Sequence, residues 1–159
     1  QWAYSELFQN YEPRAVSGYL DHCLPVGERV GVLVHYSETH DNARLAAKGA
    51  AWSRVRNALC ALACRNGAFG FTNGVEWLAD EKLEVHQARG LRWGQEPGLV
   101  APLAALNHLI ADHPCFQDGA AITRLSHPES AVVALARRSA DGVDTCLCLV
   151  NLDLERKAT

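Results

Sequence analysis

The chain has 159 residues, 48% of them hydrophobic and 21% charged, with a formal charge of −3 and a pI near 6.2. That length fits one ordinary domain or the tail of a larger one, and the mild acidity provides no basic field for nucleic acid. No apolar run approaches the ~18 residues of a membrane span, and the opening QWAYSELF has neither region of a secretory leader.

Trp2–Phe8 is rich in aromatics and reads as a strand, followed by a polar loop at Gln9-Asn10-Tyr11. Glu12–Leu24 reads as a helix with Pro13 in its first turn and Val16, Tyr19, Leu20 and Cys23 at helical spacing; Pro25-Val26-Gly27 is expected to end it. Arg29–Tyr36 is the central element. Its apolar run, Val30–Val34, reads as a strand covered on both faces, of the kind found in parallel sheets. A polar cluster follows, His35 to Asn42, and then a helical pattern from about Ala43, which makes one strand–loop–helix unit. In α/β folds the chemistry gathers where parallel strands end, so His40-Asp41 is the first place to look for a site.

Ala50–Arg65 is the strongest helix, with Trp52, Val55, Leu59, Leu62 and Ala63 on one side and Asn66-Gly67 as its glycine cap. Ala68–Phe71 reads as a short strand. The loop from Thr72 to about Pro97 is longer than a plain connection needs, a length usually associated with function. Gly98–His113 is a further helix that Pro114 stops, with Leu103, Leu106, Leu109 and Ile110 inward. From about Gln117 the pattern changes to short strands, Ala120–Leu125, Ala131–Ala136 and Thr145–Val150, with a hairpin turn at Ser139-Ala140-Asp141-Gly142.

The six cysteines do not have the spacing of a zinc site. Cys60 and Cys64 share a helix face, and Cys146 and Cys148 share a strand face, so all six read as reduced, buried thiols of a cytoplasmic protein. His35, His40 and Asp41 imitate a metal cluster, but His35 is expected to point into packing and no third well-spaced ligand follows, so neither metal nor cofactor is expected. The remaining histidines (His22, His86, His108, His113, His127) read as surface residues.

Thr39-His40-Asp41-Asn42 at a strand end, then Gly70–Trp77 (GFTNGVEW), a helix and a β-rich tail resemble the α-amylase superfamily, glycoside hydrolase family 13. The resemblance covers nearly the whole chain, through the order and spacing of its parts. It implies a partial (β/α) barrel over residues 1–116, the last three β/α units, followed over 117–159 by the first strands of an antiparallel β-sandwich. Leu147–Asp153 is similar to the core strand of that β-domain. Asp41 is then expected to stabilise the transition state and His40 to bind hydroxyls of the reacting sugar, an α-glucan or maltooligosaccharide. Within the family, the loop Asn73–His86 looks closest to the bacterial maltosyltransferases that extend α-glucans from maltose 1-phosphate.

Retaining glycosidases pass through an oxocarbenium-like state with one carboxylate as nucleophile and one as acid/base. In the resembled family both precede the His-Asp motif. Here the upstream carboxylates Glu6, Glu12, Asp21, Glu28 and Glu38 sit in no matching setting, so the chain alone is expected to be inactive. The start without Met and the three β/α units, where a barrel takes eight, read as part of a longer polypeptide or as a chain that self-associates through open sheet edges.

Further candidates are Thr72 and Asn73 as hydrogen-bond donors, Glu76 beside Trp77 as a carboxylate and a stacking surface for a sugar, and Tyr4, Glu6 and Gln9 at the first strand's end. Arg44 and Lys82 read as solvated surface charge. Blander readings stand beside these: Asp41 or Asn42 capping the next helix, and Trp77 pinning its loop to the rim. A non-catalytic carbohydrate-binding or assembly module and an unrelated α/β domain with a chance His-Asp remain the alternatives.

Overall fold

The computed structural model describes residues 12–87, 89, 94 and 96–156. The expected first strand, with Tyr4, Glu6 and Gln9, lies outside them. Among the described residues three α-helices are followed by a three-stranded antiparallel sheet.

Helix α1, Pro13–Val30, starts with its proline in the first turn, where a missing N–H costs nothing. Val16, Ser17, Leu20, Cys23 and Leu24 form its buried stripe. The helix does not stop at Pro25 as expected. It runs five residues further, because beyond the proline it meets Arg65: Glu28 takes the Arg65 guanidinium at 2.5 Å, and a Cβ added at Gly27 would stand 3.4 Å from Arg65 Cδ. Gly31, at φ +119°, breaks it.

Among the described residues the doubly covered strand is therefore not observed. Val30 belongs to the helix and is 61% exposed, and Val34 is exposed as well. Between described residues the segment makes a parallel bridge, His35 with Phe69, formed by His35 N–H donating to Ala68 O at 2.9 Å and Gly70 N–H donating to His35 O at 3.0 Å. The expected strand Ala68–Phe71 shrinks to this same bridge.

A single 3₁₀ turn, Leu45–Lys48, follows, and Gly49 at φ +108° starts helix α2, Ala50–Ala63. Its buried side shares Leu59 and Ala63 with the expected one, and Val55 and Leu62 pack against the core from its margin. Ser53, Arg56, Asn57, Leu59, Cys60 and Ala63 are buried, whereas Trp52, Val55 and Leu62 are partly exposed. Hydrogen bonds make polar burial possible here: Ser37 Oγ donates to Asn57 Oδ1 at 2.8 Å, and Asn57 Nδ2 donates to Ser53 O at 2.9 Å. Helix α3, Val100–Asp112, turns Leu103 and Ile110 inward, and the Gln117 amide caps its end by donating to Ile110 O and Ala111 O.

Strands β1 (Ala121–Arg124), β2 (Val132–Arg138) and β3 (Thr145–Asn151) are in the order β1-β2-β3. On the inner face Val133 pairs with Val150, Leu135 with Cys148 and Arg137 with Cys146. One cluster of buried side chains joins this face to α1, α2 and the 3₁₀ turn Pro114–Phe116, and so spans both sides of residue 117. Arg137 ties the layers together. Its Nε donates to Cys115 O and its Nη1 to Leu62 O and Cys64 O, all at 2.9 Å, while the guanidinium lies 3.8 Å from the Phe116 ring centre. Two of those carbonyls belong to the end of α2, where helix C=O groups lack intrahelical donors.

Candidate functional site

The bridge between His35 and Phe69 fixes the direction of two segments, so both leave it on the same side. Their continuations line one cleft of about 290 Å³: Tyr36 and Glu38–His40 from the first, Gly70–Thr72 from the second. The parallel bridge thus places the two loop continuations side by side.

The first loop is built around its polar residues. Thr39 Oγ1 donates to Asn42 Oδ1 at 2.6 Å and accepts from Asp41 N–H at 3.2 Å, which shapes the turn locally. Asp41 and Asn42 do not cap α2, which begins eight residues after Asn42. The Asp41 side chain is 79% exposed, and its Oδ1 lies 3.3 Å from Nε2 of the half-exposed His40. Asp41 itself stands outside the lining of the cleft and reaches it through His40.

Beneath the turn lies a buried ion pair that the sequence did not reveal. Glu38 accepts from Arg44 Nε at 2.5 Å and from Leu45 N–H at 2.6 Å, with both side chains essentially inaccessible. Burial pushes the Glu38 carboxyl above its ordinary value, and the Leu45 amide and Arg44 pull against that rise. Arg44 is thus no surface charge. Its Nη2 also donates to Asn73 O at 2.9 Å, while Thr72 Oγ1 donates to Glu38 O at 2.8 Å. Spacing gave one usable signal: a carboxylate and an arginine flank the Thr-His-Asp-Asn turn.

The other candidates are placed differently. Thr72 lines the cleft, and the Asn73 carbonyl holds Arg44. Glu76 and Trp77 form a 3₁₀ turn, Val75–Trp77, and neither lines the cleft. The Glu76 carboxylate accepts from Gly74 N–H at 2.9 Å, and its carbonyl accepts from Leu99 N–H at 2.7 Å, which anchors the start of α3. Lys82 is exposed.

His35 points into packing as expected. Its Nε2 is 3.9 Å from Cys23 Sγ and its ring 6.1 Å from that of Tyr19. Desolvation, with the Arg137 charge, lowers its pKa to about 4. No three His, Cys, Asp or Glu side chains gather as a metal site among the described residues. All six cysteines are free, five of them buried, and none of the described helices is long and apolar enough to cross a membrane. Comparison of the chain with protein-family models, with characterised proteins and with solved structures returned no match.

Proposed function

We propose that this chain supplies part of an α-glucan site of the α-amylase kind, in a glycosidase or transglycosylase that retains anomeric configuration. One observation carries the reading. Two parallel segments deliver their loops to a single cleft, and the Thr-His-Asp-Asn turn stands at its rim with the His40 and Asp41 side chains in contact. In this reading Asp41 stabilises positive charge developing at the anomeric carbon, and His40 donates to a sugar hydroxyl. The two segments are remnants of neighbouring barrel strands, and the sheet begins a sandwich. A cytoplasmic setting fits the six free thiols. The exposed Leu147 and Leu149 on edge strand β3 give self-association a surface.

A second reading has an observation in its favour. Among the described residues Glu38 is the one acidic residue of this cleft's lining, and both its carboxylate oxygens are bound within its own loop. Double displacement needs a nucleophile and an acid/base. The chain by itself is then a carbohydrate-binding module, and the nucleophile and acid/base come from other segments. Titration with maltoheptaose, followed by amide NMR, tests the shared element of both readings. Shifts at Tyr36–Asn42 and Gly70–Asn73, reduced by His40→Ala, are expected; an unchanged spectrum at millimolar sugar rejects the α-glucan site. Cleavage or transfer lost on Asp41→Asn separates the catalytic reading from the binding one.

A further inference from the structure

We propose that Glu38 and Arg44 are positioning residues that lock the His40–Asp41 loop and the Thr72–Ala79 loop into one unit. Both oxygens of the Glu38 carboxylate are used inside the first loop, on Arg44 Nε and on the Leu45 amide, so this side chain closes the loop across seven residues. The turn within it is already shaped by Thr39. What the closure fixes is the placement of that turn relative to its surroundings.

The second loop is gripped from both ends of the first. Thr72 Oγ1 donates to the carbonyl of Glu38, and Arg44 Nη2 donates to the carbonyl of Asn73. Gly74 makes room for this grip. It has φ +94°, and a Cβ there would stand 2.9 Å from Ala79 Cβ and 3.2 Å from Arg44 Nη2. The loop beyond it is folded back by Ala79 N–H donating to Gly74 O at 2.9 Å. A buried ion pair adds little net stability over apolar packing, because desolvation offsets its attraction. A guanidinium with fixed donor directions does define geometry, and two bonds from Arg44, one to Glu38 and one to Asn73, define the relative position of the two segments. Lysine keeps the charge and loses the fork.

The consequence for sugar rests on the function proposed above; the coupling does not. The experiment therefore reads both on the whole chain, with Arg44→Lys and Thr72→Val. Amide spectra and hydrogen exchange come first. Arg44→Lys is expected to shift the amides of Thr39–Asn42 and Asn73–Ala79 together and to speed their exchange about tenfold, with β2 and β3 unchanged. Thr72→Val, which removes one hydroxyl, is expected to shift the Glu38–Asn42 amides across the gap, and it decides the matter if the lysine variant does not fold. Changes confined to one loop, or spread equally through α2 and the sheet, overturn the coupling. Maltoheptaose affinity is then compared, with an approximately tenfold loss expected for Arg44→Lys. A parent chain that binds no maltoheptaose refutes the proposed function alone, whereas unaltered affinity with loosened loops refutes the positioning role.

Discussion

Among the described residues three arginines are buried, and two of them, Arg137 and Arg44, stand at junctions where they are held in opposite ways. Arg137 has no carboxylate among its hydrogen-bond partners; backbone carbonyls of Cys115, Leu62 and Cys64 and the Phe116 ring surround it. Arg44 is neutralised by Glu38 and donates to one carbonyl of a second loop. The first joins the sheet to the helices through the main core, and the second joins two loops beside a cleft. The same residue type thus serves global stability at one junction and local geometry at the other. Backbone carbonyls at a helix end cannot move without unravelling the core, whereas loop segments can.

The sharpest break of this contrast is Arg137→Met. It leaves three buried carbonyls without donors, and a loss of about 4 kcal/mol is expected in urea unfolding. A loss below about 1 kcal/mol would place the junction elsewhere.

His35, whose pKa the Arg137 charge helps to lower, comes next. Its folded pKa of about 4 lies below the 6.5 of a free imidazole. A depressed histidine binds its proton more readily unfolded, so its contribution is present above the unfolded value and lost as pH falls from 6.5 towards 4. That loss is on the order of 3 kcal/mol. Unfolding measured across this window in the parent chain and in His35→Gln should show the slope flatten in the variant.

Arg44→Met is expected to cost about 2 kcal/mol, less than Arg137→Met, because Glu38 can escape a buried charge by taking a proton. The Glu38 carboxyl is already raised, and a raised carboxyl favours folding below the unfolded pKa and loses that advantage as pH rises through the folded one. Removing Arg44 raises it further. The deficit of the variant should therefore shrink as the solution is acidified below neutrality. A deficit independent of pH contradicts the pairing.

The smallest effect belongs to Arg124→Ala. Arg124 grips Asp21 with bonds of 2.8 and 2.6 Å, but the Asp21 side chain is half exposed, so about 0.5 kcal/mol is expected by thermal unfolding.

Regions where periodicity and punctuation agree were legible in the sequence. Helix α3 and strands β1 to β3 fall within a few residues of their expected bounds, because Leu103 and Ile110, or Val133 and Leu135, report their face directly. Pro25 misled because a proline disfavours a helix locally, and the contacts of Glu28 and Gly27 with Arg65 are distant in sequence. The apolar run Val30–Val34 misled because hydrophobicity tells which residues could be covered, not whether a neighbour is present to cover them. The position of the candidate site was legible as a polar cluster after an apolar run. Its support was not, since Arg44 reads as surface charge until Glu38, Leu45 and Asn73 are seen around it.

The sequence by itself determined the succession of helices and hairpin strands, the inward apolar residues of α3 and the sheet and the exposed His40-Asp41 turn, for these depend on short-range spacing and turn chemistry. Only the tertiary structure decided which charges are buried, where α1 ends and which loops share a cleft. Those outcomes depend on pairs such as Arg137 with Leu62 and Arg44 with Asn73, separated by 75 and 29 residues. The low dielectric around such pairs lets a single missing partner outweigh every local preference.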